Sequence, residues 1–249
     1  MKILISPAKN MNTEHSFLSY TSKPVFLNKS KKLVQLLQGK TINELKDIFK
    51  TNDKLTDNTY KLYQKFDFDN NLTPAIIAYD GIQYKYMGNT IFTNEEFTYL
   101  NDRLFIISAL YGILKPLDGI CEYRLEMINK LDINSSSSLY DYWGEDLYSY
   151  VFKNNDTVLS LLSNEYKKCF TKYLKANDNF IEVYFYEDVD GKLKDKTVYT
   201  KMARGLMVRY ICINKIEDIE GVKRFNEYGY VFNEQLSNKN KLVFIRKEQ

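Results

Sequence analysis

Histidine and cysteine are scarce in this chain, and their scarcity excludes most metal-site and nucleophile chemistry. Among 249 residues there is one histidine, His15, and there are three widely separated cysteines that form no C-x-x-C pair. A zinc site needs several histidine or cysteine ligands close together, and a Ser-His-Asp or Cys-His unit would have to use His15. We therefore expect no obligate metal and no cofactor, and we interpret Cys121, Cys169 and Cys212 as reduced, mostly buried thiols.

Glycine-rich loops and long apolar segments are lacking as well. The ten glycines form neither G-x-x-x-x-G-K-[ST] nor G-x-G-x-x-G, so the usual phosphate-binding loops are absent. No apolar run approaches the about 20 residues of a membrane helix, and the start of the chain lacks the apolar core of a signal peptide. These absences predict a cytoplasmic protein without membrane contact. With only ten Gly and four Pro and no linker-like stretch, residues 1–249 are expected to form a single domain.

The sequence does contain an irregular alternation of strand and helix patterns. Apolar runs predict strands at residues 2–5, 75–79, 104–107, 158–162, 180–186, 193–199 and 242–245. Helical spacing of apolar residues predicts helices at residues 28–38, 53–66, 141–153, 165–174 and 201–213. Capping and turn signals occur at Thr41 with Glu44, at Thr93 with Glu96 and at Asp190-Gly191. The pattern predicts an α+β fold, a single compact domain with a mixed β-sheet wrapped by helices.

Positive charge is concentrated locally rather than globally. The net charge is only +3, but residues 201–215 contain no acidic residue. On a helix, Lys201, Arg204 and Arg209 fall within an arc of roughly 140° that also contains Gly205, where a ligand backbone could approach. The segment therefore predicts a cationic binding face. The alternative is the solvated face of an ordinary amphipathic surface helix.

Residues 107–117 offer a second binding pattern. Leu110-Tyr111-Gly112-Ile113 has the hydrophobic-x-Gly-hydrophobic form of the turn in a helix-hairpin-helix element, whose backbone N–H groups bind phosphate oxygens. Lys115 follows the turn and would add a phosphate contact. A plain loop is the alternative interpretation of the same residues.

The start of the chain carries the one pattern that suggests an enzyme. Ser6-Pro7-Ala8-Lys9 has the S-x-x-K spacing with which some serine hydrolases activate a serine through a lysine. In those enzymes the motif opens a helix and is accompanied by S-D-N and K-T-G segments, neither of which occurs here. Catalysis by Ser6 and Lys9 is therefore kept as an alternative, and an enzyme is not the favoured interpretation.

Several blocks of sequence resemble the YaaA family of peroxide-stress proteins. They are ILISPAK, SALYGILKPLDGICEYRLEM, LYDYWG, LLSNEY, ARGLMVRYI and FNEYGYVFNE, in this order along the chain. The resemblance implies a protein that limits damage from hydrogen peroxide, where intracellular iron would otherwise generate hydroxyl radicals on DNA. It also implies a mixed fold with a helix-hairpin-helix-like element and a positively charged cleft that binds DNA.

The resemblance carries over to particular residues. The cleft's cations would be Lys9, Lys54, Arg124, Lys201, Arg204 and Arg209, and the hairpin turn would be Leu110, Tyr111, Gly112 and Ile113. The partner implied is DNA, bound mainly through its phosphates with weak sequence specificity and strong salt dependence. An enzyme acting in the same cleft, either the Ser6/Lys9 hydrolase or a nucleic-acid-processing activity, is the alternative.

Overall fold

A mixed β-sheet forms the middle of the molecule. The computed structural model describes residues 1–13, 16–133, 136–154 and 156–247, so His15 lies outside the described residues. The described strands are β1 (Lys2–Ile5), β2 (Asn10–Met11), β3 (Thr73–Pro74), β4 (Tyr79–Asp80), β5 (Leu104–Ser108), β6 (Gly112–Leu114), β7 (Gly119–Ile120), β8 (Val158–Leu161), β9 (Phe180–Val189), β10 (Lys192–Lys194), β11 (Tyr230–Phe232) and β12 (Lys241–Lys247). The apolar runs that predicted strands at β1, β5, β8, β9 and β12 are confirmed.

The sheet has a parallel centre and antiparallel edges. Its order is β11-β12-β9-β8-β1-β5-β6, with β10 paired to β9. The strands β12, β9, β8, β1 and β5 run parallel to one another. β6, β10 and β11 return antiparallel to their neighbours. Central strands are buried on both faces, which explains why β5 and β8 are apolar at nearly every position.

Helices fill the connections between the strands. The described α-helices are α1 (Leu27–Gln38), α2 (Ile42–Phe49), α3 (Asp53–Gln64), α4 (Ala75–Ala78), α5 (Ile82–Met87), α6 (Asn94–Arg103), α7 (Leu139–Trp143), α8 (Asp146–Val151), α9 (Asn164–Thr171), α10 (Thr197–Ile213) and α11 (Ile219–Lys223), with 3₁₀ turns at Asn89–Ile91 and Glu227–Gly229. Both predicted capping boxes are present, because each threonine hydroxyl accepts from the N3 amide and each glutamate accepts from the N-cap amide. The α+β fold is confirmed. Within the described residues, no helix is both long enough and apolar enough to cross a bilayer.

Several predicted elements differ from the structure. Residues 75–79 form the short helix α4 followed by β4, because a short apolar run that is buried suits either conformation. The helix predicted over residues 141–153 is divided into α7 and α8 at Gly144, whose φ is +52°. Helix α3 buries Thr56, Thr59 and Tyr63 on its core face, whereas its apolar residues Leu55 and Leu62 are only partly buried.

The helix-hairpin-helix interpretation is wrong for residues 107–117. Strands β5 and β6 pair directly, with Ser108 opposite Gly112, so Leu110 and Tyr111 lie in a tight β-hairpin. The side chains of Leu110, Tyr111 and Ile113 are at most 1% exposed. Gly112 has φ +74°, and a methyl group there would lie 2.7 Å from the Trp143 ring. The glycine therefore serves a turn and close packing in the core, and its neighbours present no surface to a phosphate.

Candidate functional site

The chain connections place a crevice where β1 and β8 end. After β1 the chain continues to β5 on one side, whereas β8 leads to β9 and β12 on the other side. Adjacent parallel strands whose connections diverge leave a crevice at their carboxyl ends, and ligands of open α/β sheets bind there. A cavity of about 390 Å³ lies at this point, lined by Ser6 after β1 and Ser163 after β8. We call this cavity the central crevice.

The floor of the central crevice is held by hydrogen bonds between the two strand ends. The Ser6 hydroxyl accepts from the Ser163 amide at 2.9 Å and donates to the Ser163 hydroxyl at 3.2 Å. Helix α5 covers the same loop, because the Tyr84 hydroxyl and the Gln83 amide donate to the Ser6 carbonyl at 3.1 and 3.4 Å. A methyl group at Gly81, just before α5, would lie 2.9 Å from the Ala8 side chain. The close approach fixes α5 against the end of β1.

Helix α10 delivers two of the predicted cations to the central crevice. Lys201 and Arg204 line the cavity, whereas Arg209 lies one turn further along, where its guanidinium contacts Gly88. Gly205 does not face a ligand as expected. A methyl group there would lie 2.1 Å from the Gln83 carbonyl oxygen, so this glycine allows the backbones of α10 and α5 to pack closely.

The structure brings together five of the residues singled out from the sequence. Ser6, Lys9, Arg124, Lys201 and Arg204 all line the central crevice. A larger, open cavity of about 680 Å³ adjoins it and shares Lys9 and Arg124; we call it the outer groove. The predicted residues that line neither cavity are Lys54, exposed in the first turn of α3, Arg209, Lys115 and the buried hairpin residues 110–113.

The charge of the two cavities is mixed rather than uniformly basic. Their cations are Lys9, Lys61, Lys65, Arg124, Lys201 and Arg204, and their carboxylates are Asp67, Asp80, Glu122, Glu126 and Glu165. The ammonium of Lys9 lies 2.7 Å from the Glu126 carboxylate, although the lysine side chain is 69% exposed. Among the described ion pairs, none joins Arg124 to Glu126 or Asp118. Asp118 instead accepts from the Ser22 hydroxyl and the Lys115 amide.

The arrangement of Ser6 and Lys9 does not match a serine–lysine hydrolase. Residues 6–8 form an irregular loop after β1 rather than the start of a helix. The Ser6 hydroxyl is hydrogen-bonded to Ser163, and the Lys9 ammonium is paired with Glu126. The described hydrogen bonds thus pair the Ser6 hydroxyl with Ser163 and not with Lys9, the residue that would act as the general base.

Arg204 is a buried cation with an unusual environment. Burial lowers the pKa of its guanidinium to about 10, although the nearby Asp195 opposes this shift. Its Nε atom is buried without a hydrogen-bond partner among the described residues. Arg204 also lines an adjacent cavity of about 210 Å³, where the Lys167 ammonium contacts the Glu182 carboxylate at 2.5 Å. Arg204 therefore lines both cavities.

Glu165 is a residue of the central crevice that the sequence reasoning missed. It stands in the first turn of α9, two residues after Ser163. Burial and the neighbouring Glu126 raise the pKa of its carboxyl, against the backbone amides of Ile128 and Met127. Its Oε1 atom is buried without a hydrogen-bond partner among the described residues. The signal available in the sequence was an apolar strand that ends in Ser-Asn-Glu, since polar residues after a parallel strand mark the ligand-binding edge.

The aromatic residues in and around the central crevice belong mainly to the core. Tyr84, Tyr111, Tyr123 and Trp143 are at most 5% exposed. The Tyr123 hydroxyl shares hydrogen bonds with Tyr79 at 2.7 Å and Ser108 at 2.8 Å, which ties the crevice wall to β5. Tyr84 and Tyr123 nevertheless line the central crevice. Their hydrogen-bonded hydroxyls fix the position of the wall.

Comparison with known proteins gives a consistent family. Residues 1–236 match a family model described as "Peroxide stress protein YaaA". A UPF0246 protein of Desulfitobacterium hafniense (strain Y51) is 46% identical over 246 residues, covering 99% of this chain and 98% of the relative. A UPF0246 protein of Limosilactobacillus reuteri (strain DSM 20016) is 45% identical, covering 98% of this chain and 98% of the relative. A UPF0246 protein of Agathobacter rectalis is 41% identical, covering 99% of this chain and 99% of the relative.

Proposed function

The chain belongs to the YaaA family of peroxide stress proteins, which assigns it to the oxidative-stress response, and we propose that it acts there by binding DNA and limiting the damage that intracellular iron causes to it. The binding surface is the central crevice together with the outer groove. Binding is mainly to phosphates, with weak sequence specificity.

The observation that supports this proposal is the continuity of the cations across the two cavities. In the outer groove, Lys61 lies on α3 and Lys65 directly follows that helix. Lys9 and Arg124 are shared by both cavities, and Lys201 lies on α10 in the central crevice. The four lysines are exposed, so their ammonium groups can neutralise successive phosphates along a strand.

A salt series with charge-matched variants tests the proposal. Fluorescence anisotropy would measure the affinity of a labelled duplex for the wild-type chain, for Lys61→Gln/Lys201→Gln and for the control Lys192→Gln/Lys194→Gln on the exposed strand β10. Each lost phosphate contact should reduce the slope of log K against log salt by about 1. The cavity variant should therefore lose about two units of slope, and the control none.

Two outcomes would contradict the proposal. Equal losses in the two double variants would mean that only net charge matters. An absence of binding by the folded wild-type chain at low salt would exclude DNA as the partner.

A plasmid-nicking assay with Fe²⁺ and hydrogen peroxide measures the protection of DNA from iron-dependent damage. Protection should be weaker for the cavity variant than for the control.

A further inference from the structure

Two buried polar atoms of the central crevice have no hydrogen-bond partner among the described residues. They are Oε1 of Glu165 and Nε of Arg204. One is an acceptor and the other is a donor. Both residues line the central crevice, and buried polar groups in folded proteins are nearly always hydrogen-bonded. A ligand in the crevice that offers both a donor and an acceptor would supply partners to these two side chains.

The two side chains are held so that each remains available. Glu165 lies in the first turn of α9, where the amides of Met127 and Ile128 point at its carboxyl. Arg204 is fixed by the close packing of α10 on α5 at Gly205. No ion pair joins Glu165 to Arg204 among those of the described residues. Each side chain can therefore form a further hydrogen bond with a ligand.

We infer that the central crevice holds a single unstacked nucleobase, whose amino group donates to Glu165 and whose ring nitrogen or carbonyl accepts from Arg204. Nucleobases carry donors and acceptors side by side on one planar edge, and proteins read an extruded base through that edge. If the base is extruded from bound DNA, this inference rests on the proposed function. A free nucleotide could occupy the same pocket even if the protein did not bind DNA.

The dimensions and lining of the crevice suit this occupant. Its volume of about 390 Å³ falls at the lower end of the about 300–1,000 Å³ typical of small-molecule sites. The rings of Tyr84, Tyr123 and Tyr166 line it beside apolar residues, which is the environment that replaces base stacking. Lys9 and Lys201 are exposed members of the same lining, where a phosphate attached to the base can be neutralised.

The chemistry of Glu165 sets a preference among the bases. Adenine, cytosine and guanine carry an exocyclic amino group that can donate to a carboxylate, and thymine carries none. Burial raises the pKa of Glu165, and its ionised form is the stronger acceptor. The affinity should therefore be greater for amino-bearing bases and should fall as the pH is lowered through the raised pKa.

Titration of the full-length chain with AMP, CMP, GMP and TMP, monitored by calorimetry, tests the inference. The variants are Glu165→Gln and Arg204→Gln. The matched controls are Glu217→Gln and Arg103→Gln, which break an ion pair between α6 and the segment after α10, away from the crevice. The two crevice variants should each bind AMP at least about tenfold more weakly than wild type, and the controls should match wild type. Thermal unfolding of every variant identifies any that fails to fold.

A second measurement separates this inference from DNA binding itself. A duplex with 2-aminopurine, an amino-bearing base that fluoresces more strongly when unstacked, should brighten with wild type and not with Glu165→Gln. Binding of mononucleotides without binding of duplex would retain the pocket and discard the DNA proposal. Duplex binding without mononucleotide binding or 2-aminopurine brightening would overturn the pocket and leave the DNA proposal intact. Equal nucleotide affinity in wild type and the folded crevice variants would also overturn it.

Discussion

Substitution of Gly205 by alanine should destabilise the protein, although alanine favours helices. In an exposed helix the change would add about 1 kcal/mol of stability through helix propensity. Here the added methyl group would lie 2.1 Å from the Gln83 carbonyl oxygen and 2.8 Å from the Met87 amide nitrogen, both backbone atoms of α5. Overpacking typically costs about 1–3 kcal/mol, and more where backbone must move. Because both contacts are with backbone, we expect a cost of about 3 kcal/mol or more. After the gain in helix propensity, the net loss is about 2 kcal/mol or more, which is roughly 4–8 °C in Tm for a chain of this size.

Gly39→Ala provides the matched control for this measurement. Gly39 follows α1 with φ −77°, and a methyl group there would lie no closer than 3.6 Å to its nearest neighbour. This control should be neutral or stabilising by up to about 1 kcal/mol. Thermal and urea unfolding of both variants give the comparison. If Gly205→Ala were as stable as wild type, α5 and α10 could not be packed as described, and the positions of Lys201 and Arg204 in the central crevice would have to be revised.

Two further predictions concern ionisable groups. Burial raises the pKa of Cys121 to about 11 and the pKa values of Cys169 and Cys212 to about 12. Mass spectrometry should therefore find all three thiols unoxidised after treatment with hydrogen peroxide at neutral pH. Rapid formation of a sulfenic acid would refute this prediction. The raised pKa of Glu165 means that the folded state binds its proton more tightly than the unfolded state. Glu165→Gln should therefore be more stable than wild type near neutral pH, with the difference vanishing as the pH falls below the raised pKa; a constant difference across pH would contradict it.

Local signals predicted much of the fold because their causes are local. The pair Thr41 and Glu44 satisfies helix-end amides within four residues, whatever the rest of the chain does. The turn at Asp190-Gly191 is confirmed for the same reason, since both residues adopt positive φ between β9 and β10. The parallel order of the sheet and its divergence at β1 and β8 depend on contacts across more than a hundred residues, so no sequence window contains them.

Glycine shows why the predicted site was only partly recovered. In the sequence, Gly112 and Gly205 each sit beside cations or in a phosphate-binding pattern, and each was interpreted as a place for a ligand. In the structure, the space beside each glycine is occupied by another part of the chain. The Trp143 ring packs against Gly112, and the backbone of α5 packs against Gly205. A glycine indicates that other atoms approach the backbone closely, but it does not indicate whether they belong to a ligand or to another segment of the chain. Lys201 and Arg204 lie together because of their spacing on α10, whereas the fold brings Lys9 and Arg124 to them.

The mixed charge of the site limits what phosphate neutralisation alone can achieve. Of the four cations in the central crevice, Lys9 is already paired with Glu126 and Arg204 is buried. A strand crossing only this cavity would release about two or three counterions, for a log–log salt slope near −2 to −3. A much steeper slope would require Lys61 and Lys65 of the outer groove as well. Glu126→Gln separates these cases: it frees Lys9 and should strengthen binding wherever DNA crosses the crevice, and it should change nothing if DNA lies elsewhere.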